Sequence, residues 1–352
     1  HVELNQNTIP EKFRHECAKV AFEYTSYYES KISNWFNKNT NNFCSKKITL
    51  SYNKVADLRY GENPHQKASY FKLNENQFSQ VSGKELSYNN IYDSECAIEL
   101  AQQFTKPSCV ILKHGNPCGV AIDSKQENAY QKALECDRTS AFGGIVAFNK
   151  MVNIETAKKI NKIFTEVVIA PKFSPKSKKI LSSKRNLILI EFNNTNEQTR
   201  FHLKTTRNFL LVQEKDNKNI KIKELSVKSK IKPKEKSLND MLFAFTICKY
   251  LNSNAIVIVS DLTTIAIGVG QTSRLDSAKI AIDKVKEKLK HKDIVMASDG
   301  FFPFPDIVEL CSKNQIAGII QPGGSKNDKD VINAANKHRI PLVFTGIRHF
   351  KH

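Results

Sequence analysis

Lys113 and His114 stand side by side in the stretch VILKHGNPCGVAI, which spans residues 110–122. A histidine imidazole can take or give a proton near neutral pH, and a neighbouring ammonium group supplies a compact positive charge. The pair therefore suits acid–base chemistry on a bound substrate. Taken alone, it leaves open a simpler interpretation, in which His114 only caps a backbone carbonyl group where a strand ends.

The residues around this pair predict where it lies in the fold. Val110, Ile111 and Leu112 favour a buried strand, whereas the glycines, the asparagine and the proline that follow the pair favour a tight turn. Because open α/β sheets bind their ligands at the ends of strands, we expect the pair at a ligand site.

The rest of the chain predicts an α/β protein with an internal repeat. The first half reads as strand SCVILKH, strand GVAI, helix ENAYQKALECD and strand GIVAF, and the second half repeats this order with NAIVIVS, TIAIGVG, DSAKIAIDKVKEKLK and DIVMASD. Residues 10–37 carry apolar side chains at the three- and four-residue spacing of an amphipathic helix. Residues 172–236 are rich in lysine and predict an irregular connector with a few strands of its own.

Composition narrows the classes of partner. The 352 residues carry a formal charge of +19, much of it at 175–186 and 227–240, where no row of aromatic residues accompanies the lysines, so a solvated surface is favoured over a nucleic-acid site. No stretch approaches the roughly 20 apolar residues of a membrane helix, and no secretory signal is visible. The eight cysteines include no CxxC pair, which indicates thiols in a reducing cytosol rather than zinc ligands or disulfides. We therefore expect a cytoplasmic protein that binds neither membrane nor nucleic acid.

Five turn-like segments concentrate glycine, proline, arginine and histidine. They are LRYGENPHQ (58–66), KHGNPCG (113–119), TSAFGG (139–144), GVGQTSR (268–274), and SDGFFPFPD, QPGGS and TGIRHFKH within 298–352. Together with ELSYNN, SAFGGIVAFN and VVIAP, they closely resemble the aminoimidazole-carboxamide ribonucleotide (AICAR) transformylase half of the bifunctional purine biosynthesis family, whose other half is IMP cyclohydrolase. The resemblance runs from about residue 50 to the C-terminus.

This resemblance implies a fold class and a domain organisation. The fold is expected to be α/β, with two tandem cytidine-deaminase-like lobes of the AICAR transformylase type preceded by a helical linker. The implied segments are the linker at 1–47, the first lobe at 48–171, the basic connector at 172–236 and the second lobe at 237–352. Because the linker resembles the segment that joins the two halves of these proteins, we expect a cyclohydrolase domain upstream of His1.

The resemblance also implies a reaction. The formyl group of 10-formyltetrahydrofolate would move to the 5-amino group of AICAR, giving formyl-AICAR and tetrahydrofolate in the late steps of purine (IMP) biosynthesis. IMP cyclohydrolase activity is expected only of the upstream domain. The active unit would be a homodimer in which residues of both chains line each site.

Site residues follow from the same resemblance. His114 would take the proton of the amine, Lys113 would stabilise the oxyanion or protonate the folate nitrogen, and Asn254 would orient the reacting groups. The implied AICAR contacts are Arg59, Tyr60, His114, Gly143, Glu166 on a helix face, Asn254, Arg274, Phe301 and Arg348. The implied folate contacts are Leu275, Asp306, Ser325 and Lys326.

Two departures and two rival classes qualify this interpretation. Pro305 replaces an arginine that is common in relatives and Thr272 lies at a variable place, which bears on folate affinity rather than on the reaction.

A zinc nucleoside deaminase would need a glutamate two residues after His114 and a cysteine three residues after Cys118, and neither is present. A non-catalytic nucleic-acid-binding module rests on charge alone. No metal site is expected, although a structural potassium ion is left open.

Overall fold

The computed structural model of the protein describes residues 9–38, 43–72, 78–193, 201–286 and 293–352. The chain divides into two compact units, His1–Glu75 and Asn76–His352. The boundary between them lies inside the segment 48–171 that was expected to form the first lobe. Among the described residues, no helix is long and apolar enough to cross a bilayer.

The first unit contains a long helix and a two-stranded hairpin. Helix α1 covers Glu11–Lys38, which confirms the helix predicted at 10–37. Strands β1 (Asn53–Leu58) and β2 (Ala68–Lys72) pair antiparallel. Three aromatic side chains of α1 are each more than half exposed: Tyr24, Tyr28 and Trp35.

The second unit is built around one mixed sheet. Its strands are β3 (Phe78–Ser82), β4 (Ser108–Lys113), β5 (Asn116–Ile122), β6 (Ile145–Phe148), β7 (Val167–Ala170), β8 (Ile188–Phe192), and, after a separate hairpin of β9 (Phe201–Thr205) and β10 (Leu210–Glu214), β11 (Ser226–Val227), β12 (Ile256–Ser260), β13 (Thr263–Gly268), β14 (Val295–Ser298), β15 (Gly318–Gln321) and β16 (Leu342–Phe344). Its helices are α2 (Tyr88–Ala101), α3 (Gln126–Cys136), α4 (Arg138–Ala141), α5 (Ile154–Ile160), α6 (Pro175–Ser182), α7 (Glu235–Cys248), α8 (Arg274–Lys286), α9 (Asp306–Lys313) and α10 (Asp328–Lys337), with a 3₁₀ turn at Ile222–Glu224. This large sheet with its helices confirms the predicted α/β class.

The strand order on one side of the sheet centre is the mirror image of the order on the other side. The order is β11-β16-β15-β14-β12-β13-β5-β4-β6-β7-β8-β3, so β16-β15-β14-β12-β13 mirrors β8-β7-β6-β4-β5. On each side a hairpin is antiparallel to the next strand, and the two strands beyond continue in parallel. The sides meet where Thr263 of β13 pairs with Ala121 of β5, and the Thr264 hydroxyl accepts a hydrogen bond from the Val120 amide at 2.9 Å.

Helices cover both faces of this sheet because its strands alternate buried side chains between the faces. On one face α2 and α7 pack against β4, β6, β12 and β14 in a single continuous core. On the other face α3, α5 and α6 cover the β4 side, whereas α8, α9 and α10 cover the β12 side. The result is a three-layer arrangement with the sheet in the middle.

The predicted connector contributes part of this core. Residues 172–236 include α6 and β8, and β8 is a parallel member of the main sheet. Ile188, Leu189 and Ile190 are fully buried there. The segment looked irregular in sequence because the lysines of α6 fall on its exposed side and hide the short apolar run that follows.

Candidate functional site

Nearly all candidate residues of the second unit lie at one end of the sheet. β5 runs away from the turn that holds His114, whereas β13, which is antiparallel to it, runs towards that turn. The remaining pairings place the starts of β6, β7 and β12 and the ends of β14, β15 and β16 at this same end. The candidate residues there are Lys113, His114, Gly143, Glu166, Asn254, Arg274, Leu275, Phe301, Ser325, Lys326 and Arg348.

These residues fall into two groups along the sheet. Lys113, His114, Gly143 and Glu166 form the first group, on the β4 side, and the remainder form the second group, on the β12 side. β7, which follows Glu166, lies six strand positions from β14, which precedes Phe301. At about 4.8 Å per position the separation is roughly 29 Å, which is longer than a mononucleotide.

The Lys113–His114 pair lies on a hairpin. His114 and Gly115 form the two-residue turn between β4 and β5, with φ angles of 52° and 71°. Positive φ at both central residues is the geometry of a type I′ turn, whose twist matches that of the flanking strands. His114 is exposed on this turn. The prediction that the pair lies where a buried strand meets a tight turn is confirmed.

The side chain of Asp93, on α2, is hydrogen-bonded to the backbone of this turn. Its buried carboxylate accepts a hydrogen bond from the His114 amide through Oδ2 at 3.2 Å and from the Gly115 amide through Oδ1 at 2.8 Å. Burial raises the pKa of Asp93, and the two backbone amides oppose that rise. Sequence reasoning missed Asp93. The available signal was a carboxylate on the same helix face as Ala97 and Ile98, where an acidic group needs partners.

Lys113 points towards the loop that carries Gly143. The Lys113 ammonium donates to the carbonyl oxygen of Phe142 at 2.8 Å. Gly143 has a φ of +70° and its amide donates to the Phe164 carbonyl at 2.9 Å. A side chain at Gly143 would therefore be strained and would meet the Phe164 ring at 3.2 Å.

Glu166 lies on the strand side of this loop and not on a helix. The prediction of a helix-face position is wrong, because α5 ends at Ile160 and Glu166 directly precedes β7. Its Oε1 lies 2.9 Å from Nζ of Lys84, and its amide donates to the Gly144 carbonyl at 3.1 Å. The short apolar run that begins at Val167 forms a strand, which turns the glutamate towards the same sheet end as His114.

Arg274 is the centre of the second group. Its Nη1 donates to the fully buried carboxylate of Asp299 and to Ser298 Oγ, and its Nη2 donates to Asn254 Oδ1 at 2.7 Å. Asn254 in turn donates from Nδ2 to the carbonyl oxygens of Gln271 and Thr272 at 2.9 and 3.1 Å. Asn254, which was predicted to orient the reacting groups, thus lies in direct contact with Arg274, a predicted AICAR contact.

Asn116 joins the His114 turn to the loop before Asn254. Its Nδ2 donates to the His114 carbonyl at 3.2 Å, and its Oδ1 accepts from the Asn252 amide at 3.1 Å. Sequence reasoning treated Asn116 only as a turn former, because nothing in the sequence indicates that its side chain reaches a loop 136 positions away.

Phe350 brings two predicted nucleotide contacts together. The guanidinium carbons of Arg348 and Arg274 lie 4.7 and 5.8 Å from the centre of its ring. A Cβ at Gly300 would lie 2.4 Å from Arg274 Nη2 and 2.6 Å from the Phe350 ring, so a side chain there would displace both. Phe301 follows this glycine and is half-buried. Phe350 was not predicted as a site residue.

The predicted folate contacts occupy neighbouring loops of the second group. Asp306 begins α9, and its carboxylate accepts from the Ile307 amide at 2.8 Å. Ser325 and the exposed Lys326 lie between β15 and α10. The two loops are tied together because the side chain of Asn327 donates to the Pro303 carbonyl at 2.8 Å. The fourth predicted contact, on α8, is half-buried: Leu275.

Arg59 and Tyr60 lie in the first unit, on the loop between β1 and β2. Arg59 Nη2 donates to the Tyr60 hydroxyl at 2.9 Å, and the guanidinium lies 4.6 Å from the centre of the tyrosine ring. Arg59 is exposed. The two residues therefore present one guanidinium and one phenol as a unit, which is a suitable donor set for a phosphate group.

A cavity of about 200 Å³ lies beside Lys113 and His114 and is lined also by Asn116, Cys118 and Val269. Burial, with nearby Cys136 and Asp137, raises the pKa of Cys118 to about 12.

A larger open cavity of about 520 Å³ near α5 contains none of the predicted site residues. Within the described ranges, no group of three or more His, Cys, Asp or Glu residues could hold a metal ion.

Comparisons with known proteins place the chain among its relatives. A family model described as AICARFT/IMPCHase bienzyme matches residues 1–284. The chain is 41% identical to the bifunctional purine biosynthesis protein PurH of Oceanobacillus iheyensis over 99% of its own length and 69% of that protein. It is 45% identical to PurH of a Thermoanaerobacter species, over 97% of the chain and 68% of the relative. With PurH of Caldicellulosiruptor bescii it shares 44% identity over 100% of the chain and 70% of the relative. The chain therefore belongs to the AICARFT/IMPCHase bienzyme family.

Proposed function

We propose that this protein acts in purine biosynthesis and transfers a formyl group from 10-formyltetrahydrofolate to the 5-amino group of AICAR. The observation that carries the proposal is the presentation of Lys113 and His114 on a tight turn whose backbone amides donate to buried Asp93. Family membership supports the same reaction, because the matched relatives carry the name bifunctional purine biosynthesis protein. No cyclohydrolase role is proposed for the residues described above.

The reaction needs a base and an oxyanion partner. The amine of AICAR is conjugated with its ring and is a weak nucleophile, so His114 removes its proton as the nitrogen attacks the formyl carbon. Lys113 stabilises the negative charge that develops on the formyl oxygen. The bond between the formyl carbon and the folate nitrogen then breaks, and that nitrogen gains a proton from Lys113 or from protonated His114. No step is assigned to a metal or to the potassium ion left open above.

Different residues are proposed to contact the phosphate, the ribose and the base of AICAR, and the folate. Arg59 with Tyr60, and Arg348, supply donors for the phosphate, while Glu166 accepts from ribose hydroxyls. Asn254 and Arg274 orient the carboxamide and the amine, and the contact of Arg274 with Asp299 fixes the direction of its remaining donors. Asp306, Ser325, Lys326 and Leu275 contact the folate, and Phe301 packs against the base.

A homodimer with shared sites follows from the spacing of the two groups. Glu166 and Phe301 are both proposed AICAR contacts, yet their strands are separated by roughly 29 Å in one chain. We infer that the first group of one chain completes a site with the second group of a partner chain. The mirrored strand order further supports two tandem cytidine-deaminase-like lobes of the transformylase type, with the domain limits given in the sequence analysis.

The direct test is formyl transfer by the purified protein. We expect an increase in ultraviolet absorbance only when 10-formyltetrahydrofolate and AICAR are both present. Ammonia release from a nucleoside, together with stoichiometric zinc, would instead indicate the deaminase class. Absence of formyl transfer by folded wild-type protein would contradict the proposal.

A further inference from the structure

We propose that Asp93 is a positioning residue for His114, because its carboxylate holds both backbone amides of the turn that presents the imidazole. The proposal rests on the function proposed above and extends it to a residue that does not contact substrate. The carboxylate of Asp93 acts through the backbone of His114 and Gly115.

The turn needs such a partner for a geometric reason. His114 and Gly115 both have positive φ, and their two amides both point towards the Asp93 side chain of α2. These amides lie outside the ladder of β4 and β5, and Asp93 supplies one oxygen to each, at 3.2 and 2.8 Å. Since a histidine adopts positive φ less readily than glycine, the anchored amide limits the return of His114 to an extended conformation.

The second half of the sheet contains a matched arrangement. Asp261 and Leu262 form the turn between β12 and β13, with φ angles of 55° and 51°. The carboxylate of Asp240, on α7, accepts from their amides at 3.0 and 2.7 Å. We call each aspartate with the two turn amides that it accepts from a clamp. Asp240 is 2% exposed and Asp93 is 7% exposed, so the two clamps match in burial as well as in geometry.

The two turns differ in what they present. The Asp261–Leu262 turn lies at the opposite end of the β5–β13 pair, and Asp261 is held there in ion pairs with Lys132 and Lys236. None of the predicted site residues lies on that turn. The fold therefore contains this aspartate–turn contact twice, and only the contact between Asp93 and the His114 turn bears on the proposed chemistry.

The experiment compares Asp93→Asn with Asp240→Asn. Asparagine keeps one acceptor oxygen but opposes the second amide with an NH₂ donor, so each variant breaks one clamp with little change in volume. We expect Asp93→Asn to lower kcat by about 10- to 100-fold with KM for AICAR within about threefold, as for loss of orientation of a general base. We expect Asp240→Asn to leave kcat within about twofold, with a comparable decrease in melting temperature.

Hydrogen exchange provides a readout that does not depend on activity. Exchange followed by mass spectrometry should become faster in the peptide spanning 110–118 for Asp93→Asn, and in the peptide spanning 258–265 for Asp240→Asn. If Asp93→Asn opens its turn yet keeps wild-type kcat, or if both variants lose kcat equally, the positioning role is overturned.

Two further outcomes are also decisive. If Asp93→Asn does not fold, Asp93→Glu replaces it; the displaced carboxylate is expected to lower kcat while KM is retained, and wild-type kcat would overturn the proposal. If the wild-type protein transfers no formyl group, the proposed function fails. Hydrogen exchange then becomes the test of whether Asp93 holds the turn. Unchanged exchange at 110–118 in Asp93→Asn would overturn the clamp.

Discussion

Arg274 donates from Nη2 to Oδ1 of Asn254 at 2.7 Å, while the other terminal nitrogen of the same guanidinium contacts buried Asp299. The contact predicts different costs for two substitutions. Arg274→Ala leaves the Asp299 charge buried without its cation and should lower the free energy of unfolding by about 3 to 5 kcal/mol. Asn254→Ala removes two neutral hydrogen bonds and one from the Arg274 guanidinium, but it leaves no buried charge without its counter-ion, so it should cost less, about 1.5 to 3 kcal/mol. Urea unfolding measures both, and equal losses would contradict the central role of Asp299 in this network.

The Lys113–His114 pair predicts large losses of turnover without loss of fold. His114→Ala should lower kcat by roughly 10²- to 10⁴-fold, the effect of removing a general base, and Lys113→Ala should be at least as severe. His114 is exposed, so its removal should leave the melting temperature nearly unchanged. His15→Ala, at an exposed position on α1, is the matched control and should retain full activity. Wild-type turnover in either site variant would refute the proposed chemistry.

The proposed phosphate contacts predict ligand-dependent losses of affinity. Arg59→Ala and Arg348→Ala should each weaken AICAR binding by roughly 1.5 to 3 kcal/mol, the range for a charge-assisted hydrogen bond. The nucleoside without its phosphate should bind these variants nearly as well as it binds the wild type. Calorimetry with both ligands measures the difference, with exposed Arg14→Ala as the control. Equal losses for nucleotide and nucleoside would move the two arginines away from the phosphate.

Cys118 should be unreactive although it lines the cavity beside His114. Burial raises its pKa to about 12, so at pH 8 only about one molecule in ten thousand carries the thiolate that alkylating reagents attack. The alkylation rate should increase about tenfold per pH unit between pH 7 and 10, for as long as the fold persists. Peptide mapping after iodoacetamide treatment compares Cys118 with exposed Cys17. Labelling of both at the same rate at pH 8 would show that the Cys118 thiol is not shielded.

The shared-site homodimer predicts complementation between two impaired variants, assayed at an AICAR concentration too low to saturate Arg348→Ala. His114→Ala affects the first group and Arg348→Ala the second, so a mixed dimer retains one site with both groups intact. Co-expression at equal levels should restore about a quarter of wild-type activity, because half of the dimers are mixed and each has one working site. Sedimentation of the wild type as an active monomer at assay concentration would contradict the dimer.

Sequence patterns predicted the local features of this fold well. The spacing of apolar residues located α1, and the run Val110–Leu112 followed by turn formers located the hairpin that carries His114. Glu166 was misplaced because a four-residue apolar run between polar neighbours does not distinguish the end of a helix from the start of a strand.

Contacts between distant segments could not be predicted. Three contacts depend on tertiary packing: the Asp93 carboxylate with the His114 turn, the Asn116 side chain with the Asn252 loop, and the Phe350 ring with two arginines. Sequence suggests such contacts only indirectly, as polar residues on otherwise apolar faces.

The central claim is that the Lys113–His114 pair moves a formyl group onto AICAR, and an isotope label tests it most directly. The protein is incubated with AICAR and 10-formyltetrahydrofolate that carries ¹³C in the formyl group, and the nucleotide product is analysed by mass spectrometry. We predict ¹³C-labelled formyl-AICAR from the wild type and from His15→Ala, and a rate lower by at least about 10²-fold from His114→Ala. Absence of labelled product from the folded wild type, or an equal rate from His114→Ala, would contradict the claim.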